Sequence, residues 1–257
     1  MGRVYCSSDW HGNLDIANRV FDYLQPDDTL YFLGDCADRG EHGVRVANML
    51  LTDPRVRFIK GNHELFMEEG LQSLIEREYV ADAQLWVCNG GAPTIEQLNM
   101  SSPEYREWLY RKVTRLPESL VYHNKSGNEI ILNHCGYTPV ATSPDLVYHT
   151  PRPADYESYW DRHHFTDAWD NRLPNTYMVH GHTPVEFFEM TYSYNGKKPQ
   201  FMTDAELQEA ADNYVPRVIR YCNGHKFNID LGTAFTGRAV LLDLDSFEEI
   251  YIEEEGE

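Results

Sequence analysis

Short apolar runs alternate along the chain with longer stretches in which apolar residues recur every three or four positions. Arg3–Ser7, Leu30–Leu33 and Val56–Ile59 are brief and apolar-rich, the form taken by strands buried on both faces of a parallel sheet. Between the first two, Ala17, Val20, Phe21 and Leu24 fall at i, i+3, i+4 and i+7, one face of a helix. Val44, Ala47 and Leu51 mark a second helix in the same way. Strand alternating with helix predicts βαβ crossovers, with ligands bound at the carboxyl ends of the strands.

Residues 64–116 read mostly as helix, interrupted at Asn89-Gly90-Gly91 and around Ser101–Pro103. After residue 128 the pattern turns strand-rich: Glu129–Leu132, Tyr177–Val179, Phe227–Asp230, Ala239–Leu242 and Ile250–Ile252. With no internal repeat and no Pro/Gly/Ser linker, residues 1–257 read as one α/β domain. Residues 185–224 look like an insertion between two strands, rich in aromatics (Phe187, Phe188, Tyr192, Tyr194, Phe201) that suit either a substrate lid or a surface elaboration. Thr203-Asp204-Ala205-Glu206 is a capping-box pattern within it. Residues 253–257 form an acidic tail.

Charge narrows the functions. Against 41 Asp+Glu the chain has 22 Lys+Arg, a net of −19, where gripping a nucleic-acid backbone or an anionic membrane needs a basic surface. No nucleic-acid polymer and no membrane is therefore expected as a partner. No apolar run exceeds four residues, so neither a membrane span nor a signal-peptide core is expected. The five cysteines, at 6, 36, 88, 135 and 222, are odd in number and form no C-x-x-C, which predicts free thiols in a reducing, cytoplasmic setting.

Chemistry gathers where the strands should end. The first predicted strand runs into Ser8-Asp9-Trp10-His11-Gly12, the second into Gly34-Asp35-Cys36-Ala37-Asp38-Arg39-Gly40, the third into Gly61-Asn62-His63-Glu64. Asp9 and Asp35 are 26 residues apart and Asp35 and Asn62 are 27 apart, one βαβ repeat each, so the three tips should be neighbours. Two later strands end in Asn133-His134-Cys135-Gly136 and Gly181-His182-Thr183-Pro184. One Asp or His at a strand end is commonly a cap or a satisfied hydrogen bond; five such tips in succession, each beside a glycine, are not. Mixed carboxylate, carboxamide and imidazole donors suit Mn, Fe or Zn, and a shared carboxylate could bridge two ions about 3.5–4 Å apart, as in hydrolytic phosphoryl transfer.

These motifs, Ser8-Asp9-x-His11-Gly12, Gly34-Asp35-x-x-Asp38-Arg39-Gly40, Gly61-Asn62-His63-Glu64, His134-x-Gly136 and Gly181-His182, resemble the calcineurin-like metallophosphoesterases. Within them the chain is most similar to the phosphoprotein-phosphatase branch in its compact bacterial and phage form, over roughly residues 3–184 and the closing strands 227–243. The resemblance implies two mixed β-sheets in a sandwich flanked by helices, and a dinuclear centre of divalent or trivalent ions, manganese first, with iron or zinc as alternatives. It further implies that Asp9, His11 and Asp35 hold one ion, and that Asp35 bridges to a second held by Asn62, His134 and His182. His63 would be the general acid, oriented by Asp38, and Arg39 would grip phosphate. A second phosphate-binding arginine is expected after a tryptophan. Arg162 in Trp160-Asp161-Arg162 fits, with Arg152 and Arg172 as alternatives.

Some positions depart from the pattern. Trp10 is bulky for its place and is read as core or as pocket lining; Cys36 and Cys135 are read as small buried fillers; His180 is read as a strand residue. His163 and His164 stand beside Arg162 but match no motif. The activity implied is hydrolysis of phosphomonoesters by direct attack of water, on phosphorylated serine, threonine or tyrosine in proteins or on small phosphoesters. The alternatives are symmetric dinucleoside tetraphosphate hydrolysis, whose second motif typically has Ala where this chain has Asp38, and an inactive scaffold.

Overall fold

The computed structural model describes residues 2–77, 83–140, 159–192 and 214–255. Two five-stranded sheets pack face to face, each built on three parallel strands. In the first, β1 (Val4–Ser7), β2 (Thr29–Phe32) and β3 (Val56–Phe58) run parallel, while β9 (Arg238–Asp243) and β10 (Glu249–Glu253) continue the sheet antiparallel beyond β1. In the second, β5 (Glu129–Asn133), β6 (Thr176–His180) and β8 (Lys226–Asn228) are parallel, flanked by antiparallel edge strands β4 (Ser119–His123) and β7 (Ile219–Tyr221). The α/β sandwich of two mixed sheets matches the expectation from the resemblance.

Three apolar layers explain why the strands are so apolar. Cys6, Leu33, Ile59, Leu132, Val179, Phe227, Val240 and Leu242 fill the space between the sheets. Neighbouring strand residues such as Tyr5, Phe32, Phe58 and Leu241 point the other way, into the helices covering the first sheet. On the outer face of the second sheet Ile131 and Met178 meet Trp169 and Leu173. Since side chains alternate along a strand, covering both faces leaves no polar position, which produces the continuous runs seen in the sequence.

The helices α1 (Leu14–Tyr23), α2 (Gly43–Thr52), α3 (Asn62–Arg77), α4 (Gln84–Cys88), α5 (Ala92–Met100), α6 (Pro103–Val113) and α7 (Val185–Tyr192) have local start signals in several cases. Asn13 accepts the Ile16 amide at 3.0 Å to cap α1, and Ser102 caps α6 ahead of Pro103. Glycine and proline breaks split the 64–116 helical region where the sequence indicated. The structure differs from the sequence reading at two places. The buried face of α2 is Gly43, Val46, Ala47 and Leu50, with Val44 and Leu51 only at its flank. Strands β4 and β7 have no counterpart in the apolar pattern of the sequence: both are edges, and β4 is half solvated, so neither carries an unbroken apolar run. Within residues 185–224, α7 begins the stretch after β6 and β7 near its end pairs with β8. Phe188 is buried against Phe165 and Tyr221, whereas Phe187 is half exposed. Tyr194, Phe201 and the capping-box segment lie outside the described residues. Among the described residues no helix is long and apolar enough to cross a membrane.

Candidate metal centre

The turns after five of the six parallel strands meet at one rim of the sandwich. From β1 come Asp9 and His11, from β2 Asp35, Asp38 and Arg39, and from β3 Asn62 and His63 at the start of α3; β5 supplies His134 and β6 His182. Six of these residues, Asp9, His11, Asp35, Asp38, Arg39 and His182, have φ between 46° and 70°, a left-handed conformation costing about 1–3 kcal/mol each in a non-glycine residue. Hydrogen bonds between the turns hold them there: the Asp9, His11 and Gly12 amides donate to Gly34, Asp35 and Cys36, and the Gly40 amide returns to His11. Glycine is required where backbone passes a ligand. A Cβ on Gly181 would sit 2.1 Å from Oδ2 of Asp9, and one on Gly61 would sit 2.3 Å from Oδ1 of Asp35.

Donor atoms converge on two adjoining points. Nε2 of His11 lies 4.0 Å from Oδ1 of Asp9 and 3.8 Å from Oδ2 of Asp35. On the other side of Asp35, Nε2 of His134 is 3.3 Å from Oδ1, and Oδ1 of Asn62 is 2.9 Å from both Nε2 of His134 and Nδ1 of His182. Asp35 thus stands between the two groups, and Asp9 accepts the His182 amide at 3.1 Å. All six residues are buried.

The donor set fits metal ions. Nδ1 of His11 donates to the Ala37 carbonyl at 3.0 Å, and Nδ1 of His134 donates to Leu33 at 2.7 Å. With either ring neutral, Nε2 would carry a lone pair aimed inward, making it a candidate ligand oriented by its backbone partner. Burial, with His63 and Arg39 nearby, lowers His11 well below the usual imidazole range; burial, with His134 and Arg162, does the same to His182. Burial opposes charge on His134 too, yet the charges of Asp35 and Asp9 push it up to about 10. Those carboxylates demand a positive charge among them. Nε2 of His182 is buried with no hydrogen-bond partner among the described residues. Ligand atoms of Asp9, Asp35 and His134, of His11, Asp35 and His63, and of His134, Cys135 and His182 form three groups within 4.8 Å. Cys135 itself donates to the Tyr159 carbonyl at 2.9 Å, and burial pushes its thiol up.

Beside these candidate ligands, Nδ1 of His63 is 2.6 Å from Oδ2 of Asp38. Burial works against the imidazolium, but the charge of Asp35 and the Asp38 hydrogen bond outweigh it and raise His63 above the ordinary value. Nη1 of Arg39 reaches Nε2 of His11 at 2.8 Å. Nε of Arg162 donates to Oγ1 of Thr183, next to His182, at 3.0 Å. Arg172 is exposed and paired with Asp170, away from this cluster, and Arg152 lies outside the described residues.

Other readings resolve as well. Trp10 is core, its ring 4.7 Å from Phe32 and its Nε1 donating to Ser7. Cys36 is a buried filler, and all five cysteines are free. His180 ends β6 with Nε2 on the Tyr221 hydroxyl at 2.7 Å, and burial drives it down to about 3. His164 turns away from the candidate ligands, onto the Cys135 carbonyl at 2.8 Å.

Three supporting residues were not assigned roles from sequence. Glu64 accepts the amides of Asp35, Cys36 and Gly61 at 2.8–2.9 Å, tying the turns after β2 and β3 together. Nε1 of Trp86 donates to Oδ2 of Asp38 at 2.7 Å. Asp230, after β8, is buried and pushed up to about 6 by that burial, against the Gly232 amide and Arg39. Glu64 was visible within its motif; Trp86 and Asp230 carry no spacing signal, because their proximity is created by other elements.

Fold and site together define an α/β metal-dependent hydrolase. The calcineurin-like phosphoesterase family model matches residues 2–186, and the chain belongs to that family of metallophosphoesterases, whose dinuclear centre the rim accommodates. Among curated proteins it is similar to a symmetrical bis(5'-nucleosyl)-tetraphosphatase of Legionella pneumophila, 25% identical over 89% of this chain and 70% of that protein. One of the same name from Delftia acidovorans is 26% identical over 56% of this chain and 48% of the relative. Among solved structures, a protein provisionally named a diadenosine tetraphosphatase superposes with TM-score 0.57 at 16% identity, covering 99% of this chain and 95% of that one. A protein serine/threonine phosphatase from Saccharomyces cerevisiae gives 0.50 at 13% identity, covering 100% and 80%. Those two likenesses bear on the fold alone.

Proposed function

We propose that this metallophosphoesterase is a phosphomonoesterase of the protein-phosphatase type, acting on phosphorylated serine, threonine or tyrosine side chains. The observation that carries the reading is the buried His63–Asp38 pair at 2.6 Å, one residue beyond the ligand Asn62. Such a pair keeps a proton on Nε2, available to a leaving alkoxide or phenoxide. Asp9, His11 and Asp35 would hold one ion, and Asp35, Asn62, His134 and His182 the other. Manganese is the proposed metal, with iron or zinc as alternatives. When bound, such a pair acidifies water to supply hydroxide near neutral pH and neutralises charge on the phosphoryl oxygens.

Arg39 and Arg162 orient the phosphoryl group through its non-bridging oxygens. Water oxygen bonds to phosphorus, the ester P–O bond breaks, and the departing oxygen takes the His63 proton. No side-chain nucleophile takes part. The free thiols support a reducing, cytoplasmic setting. Residues 1–257 are proposed as one domain elaborated at 185–224.

A second reading, symmetric hydrolysis of dinucleoside tetraphosphates, is favoured by the names of the two curated relatives. A panel of phosphoserine, phosphothreonine and phosphotyrosine peptides against diadenosine tetraphosphate, with Mn2+ supplied, separates the two. Higher kcat/KM on peptides is expected; a clear preference for the dinucleotide overturns the first reading. No turnover of any phosphoester with Mn2+, Fe2+ or Zn2+ overturns both.

A further inference from the structure

A conspicuous apolar group stands in the open at the rim. Phe235 is 77% exposed, the most exposed aromatic side chain among the described residues. It does not hang from a loose loop. It sits in a one-turn helix, Thr233–Thr236, bounded by Gly232 and Gly237, both with positive φ. The turn is pinned from both ends: the Phe235 amide donates to Gly232 at 2.8 Å, the Gly237 amide to Thr233 at 3.0 Å, and the Gly232 amide to buried Asp230 at 2.8 Å. Such a mount presents a ring in a defined orientation with little left to order on binding.

Its neighbour is functional. The guanidinium of Arg39 lies over the Phe235 ring, 5.6 Å from its centroid, and the same guanidinium touches the ligand His11 at 2.8 Å. A single side chain therefore separates the exposed ring from the metal centre. A phosphoryl group gripped by Arg39 would leave its ester substituent within reach of that ring. An aliphatic substituent gains little there, whereas a ring attached directly to the ester oxygen can stack on it or meet its edge.

We infer that Phe235 is a specificity-determining platform that favours phosphoesters with an aromatic leaving group attached directly through oxygen, phosphotyrosine above all. This rests on the phosphomonoesterase reading given above. Aryl over alkyl preference has an intrinsic part, because a phenoxide leaves more easily; the platform adds a part that resides in substrate binding and disappears with the ring.

The test compares kcat/KM for a phosphotyrosine peptide and the matching phosphoserine peptide in the wild type and in Phe235→Leu, Phe235→Ala and Phe235→Tyr, all with Mn2+. The aryl-to-alkyl ratio is expected to fall about three- to tenfold in the Leu and Ala variants, the span given by an aromatic pair. The fall should reside in KM, and the Tyr variant should keep the ratio. Because Phe235 is exposed, these changes leave the core intact. An unchanged ratio in both variants overturns the platform while leaving the phosphomonoesterase reading in place. A fall confined to diadenosine tetraphosphate overturns it also, by assigning the ring to a nucleobase. If the wild type cleaves neither peptide, both readings fail together.

Discussion

Nδ1 of His63 sits 2.6 Å from Oδ2 of Asp38, and both side chains are buried. The ring's other nitrogen points toward Asp35, 3.8 Å away, so the pair is fixed at the edge of the candidate metal centre. His63→Asn is expected to lower kcat by about 10²–10⁴-fold, the range for a lost general acid. Metal content by elemental analysis should be unchanged. Wild-type turnover of p-nitrophenyl phosphate by the variant would remove His63 from the mechanism.

Asp35 reaches toward both ligand groups, so its loss should disable both. The wild type is expected to lose activity on chelation and to melt about 5–10 °C lower, since a ligand present at ~100 times its Kd adds about 2.7 kcal/mol. In Asp35→Asn the melting temperature should no longer respond to Mn2+ or to chelator. Calorimetry checks both. A wild-type melting temperature indifferent to chelator would contradict the assignment.

Glu64 satisfies three buried amides with one carboxylate. Glu64→Ala leaves those donors unpaired, and about 3 kcal/mol of stability should be lost in urea titration. Glu64→Gln keeps a carbonyl acceptor and is expected to lose less. Equal losses would mean that packing, not hydrogen bonding, is what the side chain supplies.

Lys226 is fully buried, donating to the Thr138 hydroxyl and the His164 carbonyl. Burial pulls its pKa down to about 8 from 10.5, against the pull of Asp167 and Asp161. Below pH 8 the group is charged in both states, and the folded chain bears the full desolvation penalty. Between pH 8 and 10.5 the unfolded chain binds more protons, so this group's contribution to stability rises with pH, by about 3 kcal/mol over the window. The stability of Lys226→Met relative to wild type should therefore fall by roughly that amount between pH 7 and pH 10.5, measured in urea. A difference independent of pH would show that Lys226 titrates normally.

The sequence by itself determined the βαβ rhythm of the first third, the two helix breaks in residues 64–116, and the donors at five strand ends. Buried parallel strands must be apolar on both faces, and a ligand turn beside a strand end must admit close backbone, so glycine and donor appear together as local signals. Edge strands β4 and β7 left no such mark, because a half-solvated edge tolerates polar residues. Tertiary structure alone brought Asp9 against His182, 173 positions away, and placed Trp86 on Asp38 from a short helix 48 positions on. It also decided that Arg162 stands beside His182 while Arg172 does not, and that Phe235 remains in solvent beside Arg39. These relationships depend on how two sheets face each other and on where a turn is pinned. Such distances belong to the packed chain, and no spacing along it encodes them.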